Sequence, residues 1–170
     1  MRSPLVYLKN LIGNGLRKCR YGSRIRIAPV QSFSHLHTEL RNGGSLKIDR
    51  YCQNRGHLYL IADGGRLTIG SHCFFNTGCC VTCMEKITIG DHCKFGNNLV
   101  IVDHDHNFRE IDPEFVSAPV SVGDHTWVGA NVTILRGTSI GKNCVIGAGS
   151  VVKGKIPDGT VLIQKRENRN

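Results

Sequence analysis

Apolar residues recur along this chain with a period of six. Stepping by six from Ile69 reaches Phe75 and Val81, a restart at Ile89 gives Phe95 and Ile101, and a restart at Val122 runs through Val128, Ile134, Ile140, Ile146 and Val152. All twelve positions are apolar in a chain that is 40% apolar. Chance would give such a run with a probability on the order of 10⁻⁵ before allowance for register, so the period is a property of the fold. Six residues fit neither the 3.6 of an amphipathic helix nor the alternation of a half-buried strand. They predict a three-sided coil in which each hexad forms one short flat side and a corner. Stacked turns would then bury a column of Ile and Val behind parallel ladders. The residue after the apolar position is glycine at seven of the twelve steps (Gly70, Gly90, Gly96, Gly123, Gly129, Gly141, Gly147), as where a chain bends tightly or passes close to another backbone. Four positions after the apolar residue the side chain is small at eight steps: Cys73, Cys79, Cys93, Thr126, Val132, Thr138, Cys144 and Ser150.

The pattern changes at the ends and once in the middle. Ser3-Pro4 followed by Leu5, Leu8, Leu11, Ile12 and Leu16 has an N-cap, a first-turn proline and helical apolar spacing. It predicts a helical cap over residues 1–24, a coil over 25–157 and a basic tail over 158–170. With Lys9, Arg17, Lys18 and Arg20 the helix has a second reading, contact with a membrane surface. From Ile101 the register resumes only at Val122, so a loop at about 103–119 leaves the coil. It opens Val102-Asp103-His104-Asp105-His106-Asn107-Phe108-Arg109-Glu110, and loops on a rigid scaffold commonly carry function. A histidine with an acidic neighbour is a candidate general base, because the acid can fix its tautomer and steady its charged form. A solvated polar loop, and a metal site of His104 and His106 with His125 or His92, are the other readings.

Charge adds an expectation about partners. The chain has 22 basic against 13 acidic residues, a net charge of +9, which favours anionic partners. Few aromatics interleave with the bases, which argues against nucleic acid. No apolar run reaches the ~18 residues a membrane span needs, and no signal peptide is evident, so a cytoplasmic location is expected, possible membrane association aside. Four of the eight cysteines (Cys73, Cys79, Cys93, Cys144) occupy the small hexad position, where a reduced thiol serves as a compact apolar group. Cys80 and Cys83 have zinc-ligand spacing but no second pair at comparable spacing.

Tandem hexads such as Ile140-Gly141-Lys142-Asn143-Cys144-Val145 and Ile146-Gly147-Ala148-Gly149-Ser150-Val151 resemble the hexapeptide-repeat acyltransferases. The resemblance runs from about Ile69 to Pro157 and more faintly back to Ile48-Asp49-Arg50-Tyr51-Cys52. It implies an all-β solenoid, a left-handed parallel β-helix. Asn98-Leu99-Val100-Ile101-Val102-Asp103-His104, the following loop, and Val122-Gly123-Asp124-His125-Thr126-Trp127-Val128-Gly129 look like the maltose, galactoside, nodulation-factor and surface-polysaccharide O-acetyltransferases. The likeness implies His104 as catalytic base, with His106, Asn76 and Trp127 at the acceptor. It implies acetyl-CoA along Gly129, Ala130, Ala148, Ser150 and Lys153, a homotrimer with sites between subunits, and no metal.

Two features depart from that family. Its acidic acceptor contact falls near Cys83 or Met84, which points to a different acceptor. Its usual segment after the last coil is replaced by Gly159-Thr160-Val161-Leu162-Ile163-Gln164-Lys165-Arg166. The expected reaction moves an acetyl group from acetyl-CoA to a hydroxyl of a sugar or surface-glycan precursor. The oxygen attacks the thioester directly, and a backbone N–H or small side chain near Gly129, Ala130 or Asn131 is expected to face the oxyanion. Two rivals stand beside it. One is a zinc-dependent hexapeptide-repeat carbonic anhydrase, although the closely spaced downstream histidine pair of that group is missing. The other is a non-catalytic solenoid serving as a binding module.

Overall fold

The computed structural model describes residues 4–107 and 115–164. The hexads form three flat faces with parallel pairing throughout. The first face stacks Ile25–Ile27, Ser45–Ile48, Arg66–Ile69, Lys86–Ile89, Val120–Val122, Ser139–Ile140 and Lys155–Ile156. The second stacks Gln53–Asn54, Phe74–Phe75, Lys94–Phe95, Trp127–Val128, Val145–Ile146 and Val161–Leu162, and the third His35–Arg41, His57–Asp63, Cys79–Cys83, Val100–Val102, Thr133–Ile134 and Val151–Val152. All twelve hexad positions lie in the core, including Phe75 on Phe95 with ring centroids 4.7 Å apart. The coil runs further than the sequence suggested. Val161–Leu162 pair with Val145–Ile146, so the last turn closes beyond residue 157 and the expected tail loses its first part to the solenoid. Residues 165–170 lie outside the described part.

Glycine follows the apolar residue for close approach rather than for a bend. None of the seven has a positive φ; that conformation falls two residues later, on His72, His92, Asn98, His125, Asn131, Asn143 and Gly149. A Cβ on Gly96 would sit 2.5 Å from the Ala130 backbone nitrogen of the next coil. The left-handed corner residues stack His72, His92 and His125, with centroids 4.6 and 4.8 Å apart, on the edge between the first and second faces.

The small interior position on that edge is also a donor. The thiols of Cys52, Cys73, Cys93 and Cys144 lie 3.0, 3.1, 3.2 and 3.1 Å from the carbonyls of Gly70, Gly90, Gly123 and Pro157. The Thr126 hydroxyl donates to Gly141 in the same column at 3.0 Å. Cysteine and threonine are interchangeable there because each is small and carries a donor for a corner carbonyl. Burial pushes the Cys79 thiol up to about 11, and burial, then the Asp103 carboxylate, raises Cys83. Since the thiolate is the reactive form, Cys19 on the surface is expected to react first with a disulfide reagent and half-buried Cys80 slowly. The six buried thiols should react only in guanidinium; fast native labelling of more than two would contradict this packing. Cys80 and Cys83 point to opposite sides of their strand, outward and inward, so they do not form a chelating pair.

Helix α1 (Pro4–Tyr21) lies across the first coil. Its docking face is polar. Asn10 donates to the Phe33 carbonyl (2.8 Å) and accepts from the Phe33 N–H (3.1 Å), Arg17 donates to Leu36 (2.8 Å), and the Tyr21 hydroxyl to Thr38 (3.0 Å). These bonds satisfy edge groups that no preceding coil covers. The apolar residues read from the sequence lie elsewhere, since Leu8, Leu11, Ile12 and Leu16 are all more than half exposed.

Candidate active site

The extra segment leaves the solenoid at the edge between the third and first faces. Its described parts are His104–His106 and Phe115–Ser117, paired antiparallel with His104 opposite Ser117 and His106 opposite Phe115. The coil resumes at Val120. Arg109 and Glu110 lie outside the described residues. Alternation along the strand puts His104 and His106 on one side, against Phe115 at centroid distances of 5.5 and 4.5 Å. Asp105 on the other side accepts from Arg136 Nε at 2.6 Å, tying the hairpin to a later coil.

Asp103 organises this edge. Its side chain is fully buried, yet it accepts from three consecutive backbone N–H groups, Met84 at 2.7 Å, Glu85 at 2.9 Å and Lys86 at 2.8 Å. Amides converging in this way form a nest that satisfies both oxygens of a buried carboxylate. Asp103 Oδ1 also lies 3.2 Å from His104 Nδ1. A carboxylate offers no proton, so Nδ1 carries the hydrogen and donates. The Nε2 lone pair is left as the basic site, on a ring whose side chain is 15% exposed. A buried acid beside an imidazole in this geometry is an arrangement that can serve general-base chemistry. The sequence reading named an acidic neighbour for the histidine but did not find the amide nest, whose donors lie 17–19 residues earlier. The visible signal was the adjacency Asp103-His104.

The other candidates are distributed over two further regions. Asn76, Gly129, Ala130 and Ala148 follow equivalent strands of the second face and share its edge with the third face. Asn76 Oδ1 accepts from the Thr77 N–H at 3.0 Å. Trp127 stands outward on the second face, 56% exposed, beside a shallow groove lined by His72, His92, Lys94 and His125. Lys153 is exposed after Val152 on the third face, toward the His104 edge and away from Ala148. Ser150 requires a correction. Its hydroxyl is buried and donates to Gly147 at 2.7 Å, so it serves the corner and is not presented outward to a coenzyme. Of the two residues near the family's acidic acceptor contact, Cys83 points into the core and the Met84 N–H donates to Asp103.

One chain therefore does not gather these residues into one cavity. His104 occupies one edge, Asn76 with Gly129, Ala130 and Ala148 another, and Trp127 the face between the remaining edge and theirs. The metal set of His104 and His106 with His92 or His125 is likewise divided between two edges. Among the described residues no group of three or more His, Cys, Asp or Glu side chains converges on a metal position.

Comparisons with known proteins bear on the coil itself. The family model described as the hexapeptide repeat of succinyl-transferase matches residues 66–102 and 119–153, the coils on either side of the hairpin. The putative lipopolysaccharide biosynthesis O-acetyl transferase WbbJ of Escherichia coli is 33% identical over 136 residues, 72% of this chain and 69% of that protein. A probable acetyltransferase of Mycobacterium tuberculosis is 41% identical over 68 residues, 37% of this chain and 23% of that protein. The chain spans about a quarter of that relative and about half the length of several others. In fold it resembles a hexapeptide-repeat acetyltransferase of Vibrio cholerae solved with acetyl coenzyme A, with a TM-score of 0.57 and 21% identity over 91% of this chain and 75% of that one. The chain belongs to the hexapeptide-repeat acetyltransferases, and its three-sided coil is their left-handed parallel β-helix.

Proposed function

We propose that the protein transfers an acetyl group from acetyl-CoA to a hydroxyl of a saccharide or surface-glycan precursor, with His104 as general base. The observation that carries this reading is the buried Asp103 carboxylate, bonded to three backbone amides and to His104 Nδ1. In the proposed reaction His104 Nε2 takes the acceptor hydroxyl proton as the oxygen attacks the thioester carbonyl. The tetrahedral intermediate collapses with loss of the thiolate, which receives that proton from the imidazolium. Of the backbone N–H groups near that edge, Gly129 and Asn131 donate to the Ile146 and Asn97 carbonyls at 2.8 Å each, so the Ala130 N–H would face the oxyanion. The relative named for lipopolysaccharide O-acetyl transfer supports a saccharide acceptor, and the neighbour solved with acetyl coenzyme A supports the donor.

The separation of the candidates supports a homotrimer with shared sites. Side-by-side solenoids would set the His104 edge of one subunit against the neighbour's surface carrying Trp127 and Asn76, with coenzyme along Gly129, Ala130 and Ala148. Exposed Lys153, on the His104 side, would meet the coenzyme phosphates.

The test is acceptor-dependent thiol release from acetyl-CoA, first with wild type and then with hybrids. His104→Ala and Trp127→Ala proteins, each impaired alone, are unfolded, mixed equally and refolded together. Shared sites predict recovery of about a quarter of wild-type activity, the fraction of interfaces pairing an intact His104 with an intact Trp127 under random assembly. Absence of any acceptor-dependent release by wild type would refute the transferase reading. No recovery in hybrids would refute shared sites alone.

A further inference from the structure

Helix α1 is amphipathic with its polarity reversed for a capping helix. The side that meets the solenoid uses Asn10, Arg17 and Tyr21 for hydrogen bonds. The opposite side carries Leu8, Ile12 and Leu16, four residues apart and therefore in one stripe. They are 53%, 57% and 68% exposed, and Leu11 beside them is 54% exposed. Rotation of 100° per residue places Lys9 and Arg20 along one border of the stripe and Lys18 near Leu11 on the other. The helix contains no Asp or Glu among its 18 residues. It is not a span: no described helix is long and apolar enough to cross a membrane.

We infer that α1 is an interfacial anchor that lays Leu8, Ile12 and Leu16 into the surface of an anionic lipid bilayer, with Lys9 and Arg20 on the lipid headgroups, while Lys18 donates to the Ile25 carbonyl of the solenoid at 3.5 Å. An apolar stripe bordered by cations and free of acids is the pattern that binds at the headgroup boundary, and basic residues beside it add attraction to anionic lipid. Charge complementarity argues against a second copy as occupant, because α1 against α1 would bring cations onto cations with no acid to pair them. Geometry argues the same way. The helix closes the axial end of the solenoid, so coils assembled side by side leave the stripe uncovered. The surface thus held is one from which a lipid-linked acceptor could be reached, a point that rests on the proposed function; the anchoring itself does not.

The experiment is sedimentation of the full chain with vesicles of phosphatidylcholine alone or containing 30% phosphatidylserine. Wild type is expected to pellet with the anionic vesicles at low salt and to be released as salt rises. Leu8→Ser/Ile12→Ser and Lys9→Glu/Arg20→Glu should each weaken binding at least tenfold. Because all four positions are exposed, these variants should keep the wild-type unfolding temperature and acetyl transfer to a soluble acceptor. Equal sedimentation of wild type and both variants overturns the inference, as does no sedimentation of wild type. A smaller assembly on light scattering for Leu8→Ser/Ile12→Ser, without vesicle binding by wild type, would assign the stripe to self-association instead.

Discussion

Asp103→Asn is expected to lower both stability and turnover, and the amide geometry says how. The carboxylate accepts four hydrogen bonds, from Met84 N and His104 Nδ1 at Oδ1 and from Glu85 N and Lys86 N at Oδ2. An amide has one oxygen. If that oxygen faces His104, the NH₂ group opposes two backbone donors. If it is turned toward Glu85 and Lys86, only the Met84 N–H is opposed, but His104 Nδ1 must then accept, and its hydrogen moves to Nε2. The second orientation costs fewer orphaned donors and so predominates, leaving His104 in a tautomer without a basic lone pair toward the substrate. Each buried orphaned donor costs about 1–3 kcal/mol. For a domain of this size ~1 kcal/mol lowers the melting temperature by about 2–4 °C. The variant should therefore melt several degrees lower, with kcat reduced ~10²-fold or more and KM for acetyl-CoA nearly unchanged, since Asp103 acts only through His104. Differential scanning calorimetry and steady-state kinetics check the two parts. Unchanged kcat would remove Asp103 as the positioning residue.

The second large effect is expected for His104→Ala. Loss of a general base lowers kcat by about 10²–10⁴-fold. Stability should change little, because Asp103 keeps its three backbone donors. Acetyl-CoA affinity by calorimetry should persist, which separates loss of chemistry from loss of fold. His106→Ala is the internal comparison. Its ring is exposed and packs on Phe115 at 4.5 Å, with no carboxylate orienting it among the described contacts, so it should retain most activity. The opposite ranking, with His106→Ala inactive and His104→Ala near wild type, would transfer the base to His106.

Legibility differed from element to element. The coil could be read because one apolar residue per side is a local, repeated requirement; each hexad carries it independently, and Val122–Val152 repeats it without interruption. The hairpin was visible as a gap in that repeat. Helix α1 could be recognised from its spacing, but its orientation could not. An apolar stripe normally marks the buried side, whereas here Asn10 and Arg17 meet the solenoid because its open end presents unpaired carbonyls and amides. Ser150 was misread for a related reason: the small hexad position points inward, where its hydroxyl answers the Gly147 carbonyl. The last coil, Val161–Leu162, was missed because two residues beyond the recognisable hexads carry too little pattern to distinguish a strand from a tail.

By itself the sequence determined the period, the core residues and the place where the coil is interrupted. These are one-dimensional properties, written in the spacing of Ile, Val and Gly. Only the tertiary structure decided that the Met84, Glu85 and Lys86 amides of one coil converge on Asp103 of the next, which orients His104. It also decided that His104, Asn76 and Trp127 lie on separate parts of one solenoid. Stacking turns 16–22 residues apart, and 33 apart across the hairpin, creates contacts that no local pattern records, and wrapping a regular repeat around three sides sends neighbouring motifs to different edges.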